Sequence, residues 1–178
     1  LKTADALKKS LTVDKFSDII VADGNNYPDA LAGSYLAKVK KAPLILVDRS
    51  VASEKMIEKY IEKNLSERGT VYLLGGSDVV TERFEKSLKG TDVKRLAGDT
   101  RYETNLEILN EAKASKEDLL ACTGEGFADS LSASAVGKPI LLVDNRGLTK
   151  AQKTYLDKVD VQDIYLIGGA DVVSDKVG

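Results

Sequence analysis

Five aspartates, Asp23, Asp29, Asp48, Asp129 and Asp144, each follow closely on a short apolar run. Carboxylates at strand ends are ligands that a magnesium ion accepts, and α/β proteins bind ligands beyond the carboxyl ends of their strands. The same positions suit helix capping, where a carboxylate meets free backbone N–H groups. Asp29 and Asp129 come shortly after Gly24 and Gly124, where a first helical turn is expected, and this placement favours capping. Gly75-Gly76 and Gly168-Gly169 stand where a strand would turn into a helix, a geometry that can hold phosphate. The full Gly-x-Gly-x-x-Gly spacing and a Walker lysine are both missing, and Asp78 and Asp171 would repel an anion. A tight turn needing permissive dihedrals is the simpler reading.

The cations offer a different chemistry. Lys41 and Arg49 flank Pro43-Leu44-Ile45-Leu46, and Lys138 and Arg146 flank Pro139-Ile140-Leu141-Leu142. They could form a local patch for an anion, or serve as ordinary solvated ends of elements. Arg95 and Arg101 bracket Gly98 and Thr100; they could aim at a polymer phosphate or carboxylate, or hold a loop through Asp99 or Glu103. Histidine is absent, which excludes Ser-His-Asp and Cys-His catalysis and histidine-ligated zinc. Cys122 is the one cysteine, so it forms no intrachain disulfide. It reads as a small buried residue rather than a nucleophile, because Ala22 occupies the matching position of an internal repeat.

That repeat organises everything else. Tyr72-Leu73-Leu74-Gly75-Gly76-Ser77-Asp78-Val79-Val80 returns as Tyr165-Leu166-Ile167-Gly168-Gly169-Ala170-Asp171-Val172-Val173. Residues 21–31 align without gaps to 121–131, and 43–48 to 139–144. The second unit lacks part of 37–41, so its helix or the exit loop after it is expected to be trimmed. Strands are expected over 18–22, 44–47, 71–74, 93–96, 119–122, 140–143 and 163–167. Helices are expected over 28–40, from a Ser53 cap to 64, 81–88, 100–112 (Thr100/Glu103 capping box), 128–136 and after Thr149/Gln152. Alternating elements with continuously apolar strands predict an α/β fold: tandem Rossmann-like units with short parallel sheets flanked by helices. The division is placed at 1–92, an N-terminally clipped repeat, and 93–178. The chain starts inside a repeat and is expected to be a piece of a longer protein.

With 26 basic and 28 acidic residues the formal net charge is −2, giving no global bias toward nucleic acid or membrane. No apolar run approaches the ~20 residues that span a bilayer.

Four motifs, Arg95-x-x-Gly98-x-x-Arg101-Tyr102-x-Thr104, Gly124-x-x-Phe127-Ala128-Asp129-Ser130-Leu131, Pro139-Ile140-Leu141-Leu142 and Ile167-Gly168-Gly169, closely resemble the type 2 cell-wall-binding repeats of clostridial surface-layer and cell-wall proteins. The resemblance covers nearly the whole chain, although the first unit lacks the Arg-x-x-Gly-x-x-Arg-Tyr leader. It implies a non-catalytic extracellular anchor in the cell wall or S-layer, one of usually three repeats in a pseudo-threefold arrangement. The implied partners are an anionic, teichoic-acid-like secondary wall polymer and further repeats of the same parent chain, with no cofactor or metal. It also implies that the two Pro-led strands take part in binding. Because a buried strand cannot touch a hydrated polymer, contact is assigned to their ends and to Lys41, Arg49, Arg95, Arg101, Lys138 and Arg146. Two other readings stand beside this one. One is a nucleotide or phosphate-ester enzyme using strand-end aspartates with magnesium; the other is a purely structural unit. If the parent hydrolyses peptidoglycan, that chemistry is expected outside this histidine-free segment.

Overall fold

The computed structural model describes residues 1–169, so Asp171 and the rest of the second Gly-Gly repeat, 170–173, lie outside the described residues. The first half runs α1 (Lys2–Ser10), β1 (Phe16–Asp23), α2 (Tyr27–Lys40), β2 (Leu44–Val47), α3 (Val51–Asn64), β3 (Leu65–Leu74), α4 (Glu82–Ser87) and β4 (Asp92–Leu96). The second runs α5 (Arg101–Glu111), β5 (Leu119–Thr123), α6 (Phe127–Val136), β6 (Ile140–Val143), α7 (Lys150–Lys158) and β7 (Ile164–Ile167). All pairings within the sheets are parallel, in the orders β2-β1-β3-β4 and β6-β5-β7, so the sheet order is duplicated along with the sequence.

Local chemistry explains most boundaries. Pro28 sits in the first turn of α2, where its missing N–H costs nothing. The Thr100/Glu103 and Thr149/Gln152 capping boxes both form. Of the two possibilities the helix is the trimmed part: α6 has 10 residues against 14 in α2, and Gly137 ends it in a left-handed conformation.

Three elements depart from expectation, and the first is α1 (Lys2–Ser10), a helix ahead of the first expected strand. Ser50, not Ser53, caps α3: its hydroxyl accepts from Ser53 N at 3.2 Å, while Asp48 accepts from Ser50 N at 2.7 Å. A side-chain-closed turn carries no apolar period, so pattern alone does not locate it. Strand β3 starts at Leu65 rather than Val71, because Leu65 leaves α3 directly and pairs with Phe16 before the register slips.

Strand β4 lies almost entirely beyond residue 92, where the division was expected, yet it pairs with Thr70–Leu74 of β3. The leader of the second repeat therefore closes the edge of the first sheet, and sequence repeat and sheet are cut at different places.

Both faces of the first sheet are covered. One face packs Ile19, Val21, Val71 and Leu73 with Ala4, Ile57, Ile61 and Phe84 of α1, α3 and α4. The other faces α2, where Gly33 permits close approach: a Cβ there would lie 2.3 Å from Leu74 Cδ1. This second cluster does not stop at the unit boundary. Ile20, Tyr35, Leu36 and Tyr72 belong to the same buried cluster as Leu106, Ile108, Leu109, Leu120, Ile140 and Leu142. Helix α2 packs against α5, α6 and β6, so one apolar core joins the two sheets.

A polar rim borders this junction. Glu111 of α5 pairs with Lys40 at 3.0 Å and Lys94 at 2.5 Å, and Lys40 lies 4.9 Å from the Tyr72 ring centre. Burial opposes ionisation of Glu111, but Lys94, Lys40 and the Tyr72 hydroxyl together hold its pKa at about 2. Lys38 donates to Gly137 O at 2.8 Å.

Leu36 is fully buried in this junction. Leu36→Ala is expected to cost about 2–5 kcal/mol in urea unfolding. It should accelerate amide exchange in β5 as well as β1; acceleration confined to the first sheet would contradict a shared core.

Candidate functional site

The strand-end aspartates separate by environment. Asp23 is 1% exposed; its Oδ1 accepts from Asn25 N at 2.9 Å, and its Oδ2 is buried without a hydrogen-bond partner among the described residues. Asp29 is buried in the first turn of α2 beside the Gly75 turn. Gly75 has φ +96°, and a Cβ there would lie 2.5 Å from Asp29 Oδ2, so the turn and the buried carboxyl both require glycine. Asp48 is used by the Ser50 turn, and hydrogen bonds from Ser50 lower its pKa. Asp144 accepts from Arg146 Nε and Nη2 at 2.8 and 2.7 Å, and Arg146 holds its pKa at about 2. Asp129 is half-buried in the first turn of α6. Among the described residues, no three His, Cys, Asp or Glu side chains are grouped to hold a metal ion.

Arg95 and Arg101 act inside the protein. Arg95 donates from Nη1 to Gly75 O at 2.7 Å and from Nη2 to Val80 O at 2.9 Å, and pairs with Glu85 at 2.8 Å. It thereby stitches the turn after β3 to β4, with Glu85 rather than Asp99 or Glu103 as its ionic partner. Arg101 donates to Gly124 O and lies 3.8 Å from Glu125, fastening the loop after β5 while its charge also acts on Asp29 of the first unit.

The remaining expected residues fall at two opposite ends of the strands. Lys41 and Lys138 precede β2 and β6; Arg49 and Arg146 follow them. Lys138 is paired with Glu117 at 3.0 Å and Asp118 at 3.5 Å. Lys41 and Arg49 are exposed and form no ion pair among the described residues, and the Arg146 side chain is 86% exposed despite its bond to Asp144. The Pro-led strands differ from each other. Pro139, Ile140, Leu141 and Leu142 are all buried; Pro43 and Ile45 are buried, Leu44 is half-buried and Leu46 is 54% exposed.

Strand β6 stays dry at a sheet edge because side chains replace the missing strand. Asn105 of α5 donates to Ile140 O at 2.8 Å and accepts from Leu142 N at 2.9 Å; Gln152 of α7 donates to Leu142 O at 2.6 Å. Neither role is apparent from spacing, although an Asn amid Leu106, Ile108 and Leu109 on a buried helix face is itself a signal. Cys122 is fully buried, and burial pushes its thiol up to about 11, as suits a packing residue.

The family model described as "Cell wall binding domain 2 (CWB2)" matches residues 1–85 and 95–178. The "Amidase enhancer" of Bacillus subtilis (strain 168) is 26% identical over 167 residues, covering 91% of this chain and 22% of that protein. "N-acetylmuramoyl-L-alanine amidase LytC" of the same organism is 26% identical over 92 residues, covering 49% of this chain and 18% of that protein. Among solved structures, Cwp8 from Clostridium difficile superposes with a TM-score of 0.84 at 29% identity, covering 98% of this chain and 30% of that one. Cwp6 from Clostridium difficile gives 0.80 at 23% identity, covering 99% and 29%, a likeness of fold. The chain thus spans under a third of each of these proteins. It belongs to the cell wall binding domain 2 family, and its location is extracellular, in the cell wall. No helix among the described residues is long and apolar enough to cross a membrane.

Burial raises the pKa of Asp29 from 3.8 to about 6, Arg101 opposes the shift, and Asp78 and Asp23 add to it. The folded state therefore binds this proton more tightly than the unfolded chain. Its contribution is full below the unfolded value and is lost as pH rises through about 6, a change on the order of 3 kcal/mol. Asp29→Asn is expected to raise the melting temperature at pH 7 and to remove this falling component between pH 4 and 6. A parallel pH profile for variant and parent would contradict the assignment.

Proposed function

We propose that this cell-wall-binding module holds an anionic secondary wall polymer non-covalently and performs no chemistry on it. The polymer is read as teichoic-acid-like, and the repeat units as 1–92 and 93–178. The observation that carries the proposal is the placement of Arg49 and Arg146. Each unit exposes an arginine just past the carboxyl end of its Pro-led strand, the end at which parallel sheets present ligands. Lys41 adds charge at the opposite end of β2, and Lys138 does so at β6 while remaining tied to its acidic partners. Pro43–Leu46 and Pro139–Leu142 act by setting where these ends lie. Arg95 and Arg101 contribute by holding the loops around them. Weak, repeated contacts of this kind gain strength through avidity.

Further repeats of the same parent chain are proposed as the second partner. Phe127 and Leu131, one turn apart, expose apolar surface on α6, at 59 and 54%. Leu31 of α2, which aligns with Leu131, is buried instead. Hydrolysis of peptidoglycan by a parent protein would belong to segments outside this chain, which has no histidine and one buried cysteine.

Purified walls with and without their secondary polymer provide the test. Binding is expected on intact walls, to be lost on stripped ones, and to weaken steadily with salt as exposed charges are screened. Arg49→Glu combined with Arg146→Glu should weaken it roughly tenfold, about 1.4 kcal/mol. Retention unaffected by stripping or by ionic strength would contradict the proposal.

A further inference from the structure

Helices α5 and α7 of the second unit border an open groove of about 990 Å³. Leu106, Leu148 and Tyr155 contribute apolar surface to it. The α5 wall carries Glu103 and Glu107; the α7 wall carries Lys150, Thr154 and Lys158, and Arg146 stands at one end. Positions 150, 154 and 158 recur at every fourth residue, so they form a stripe with about 6 Å between successive positions. Lys150, Lys158 and Glu107 are exposed and form no ion pair among the described residues. Two rows of opposite charge thus face one groove without neutralising each other, a separation that calls for a ligand bearing both anions and hydrogen-bond donors.

The first unit is built differently here. Tyr60 of α3 donates to Asp5 of α1 at 3.1 Å, and Lys8 of α1 donates to Asn64 of α3 at 2.9 Å, tying the corresponding helices together. In the second unit, Leu106 stands in line with Asp5, and Tyr155 instead donates to Ala114 O at 3.2 Å. Duplication has therefore been broken at this place.

We infer that this groove is a seat for a short stretch of a hydroxylated anionic polymer. Its phosphates or carboxylates lie along Lys150 and Lys158, its hydroxyls donate to Glu103 and Glu107, and its carbon framework rests on Leu106, Leu148 and Tyr155. The inference rests on the proposed polymer-binding function and extends it, because Arg146 belongs both to the groove and to the strand-end contacts. A polymer held at Arg146 continues along α7 without leaving the charged stripe.

The experiment compares retention of the 178-residue chain and its variants on intact and polymer-stripped walls, with circular dichroism as the check on folding. Lys150→Glu with Lys158→Glu is expected to lower retention on intact walls roughly tenfold. The matched reversal Lys59→Glu with Lys63→Glu, on exposed positions of α3, should change it little. Glu107→Gln separates the groove from net charge. Removing a negative charge strengthens non-specific attraction to an anion, whereas loss of a hydroxyl-accepting carboxylate weakens binding, and weakening is the expected result. Equal losses from the α3 and α7 reversals, or tighter binding by Glu107→Gln, would overturn the groove assignment while leaving polymer binding in place. Equal retention of the parent chain on stripped walls would overturn both.

Discussion

The architecture depends on keeping water from the junction between α2 and the second unit. Helix α2 is apolar on two sides: Gly33 brings it down on its own sheet, while Leu36 and Tyr35 lie in the cluster shared with α5, α6 and β6. That junction places the edge strand β6 in an apolar setting, where its backbone groups must be satisfied without another strand. Asn105 and Gln152 supply those bonds, so a single interface sets both the relation of the sheets and the chemistry of an edge. Leaving the backbone groups of Ile140 and Leu142 unpaired would cost about 1–3 kcal/mol each.

The same constraint distributes the charges. Side chains near the junction are consumed by it: Lys40 and Lys94 by Glu111, Arg95 by Gly75, Val80 and Glu85, and Arg101 by Gly124 and Glu125. Lys41, Arg49 and Arg146 at the strand ends, and Lys150 and Lys158 along α7, are left facing solvent. The buried pair Asp23 and Asp29 belongs to the packing of the first crevice, where Gly75 lets the chain turn over a carboxyl that is costly to ionise.

Much of this was legible in the residues themselves. The repeated Gly-Gly turns, the two capping boxes and the apolar runs locate nearly every element, because these signals are local. What was not legible depends on long-range pairing. The partners of Arg95 come from 10 to 20 residues earlier, in a turn whose shape follows from the sheet. Strand β4 belongs to the first sheet although the repeat boundary cuts ahead of most of it, since hydrogen bonding does not respect sequence homology. Burial of Pro139–Leu142, against partial exposure of Leu44 and Leu46, reflects the packing of α2 and α5 on β6, a fact present in neither motif. The Pro-led strands were assigned by family resemblance to binding, and the physical argument that contact must fall on their ends accords with the burial of β6.

Two homologous units share one core and therefore form one folding body. Differential scanning calorimetry of the full chain beside a fragment comprising residues 97–178 tests it most directly. One cooperative transition is expected for the chain and none for the fragment, whose α5 and β6 would expose the surface that α2 covers. A fragment that melts cooperatively near the temperature of the whole chain would contradict it.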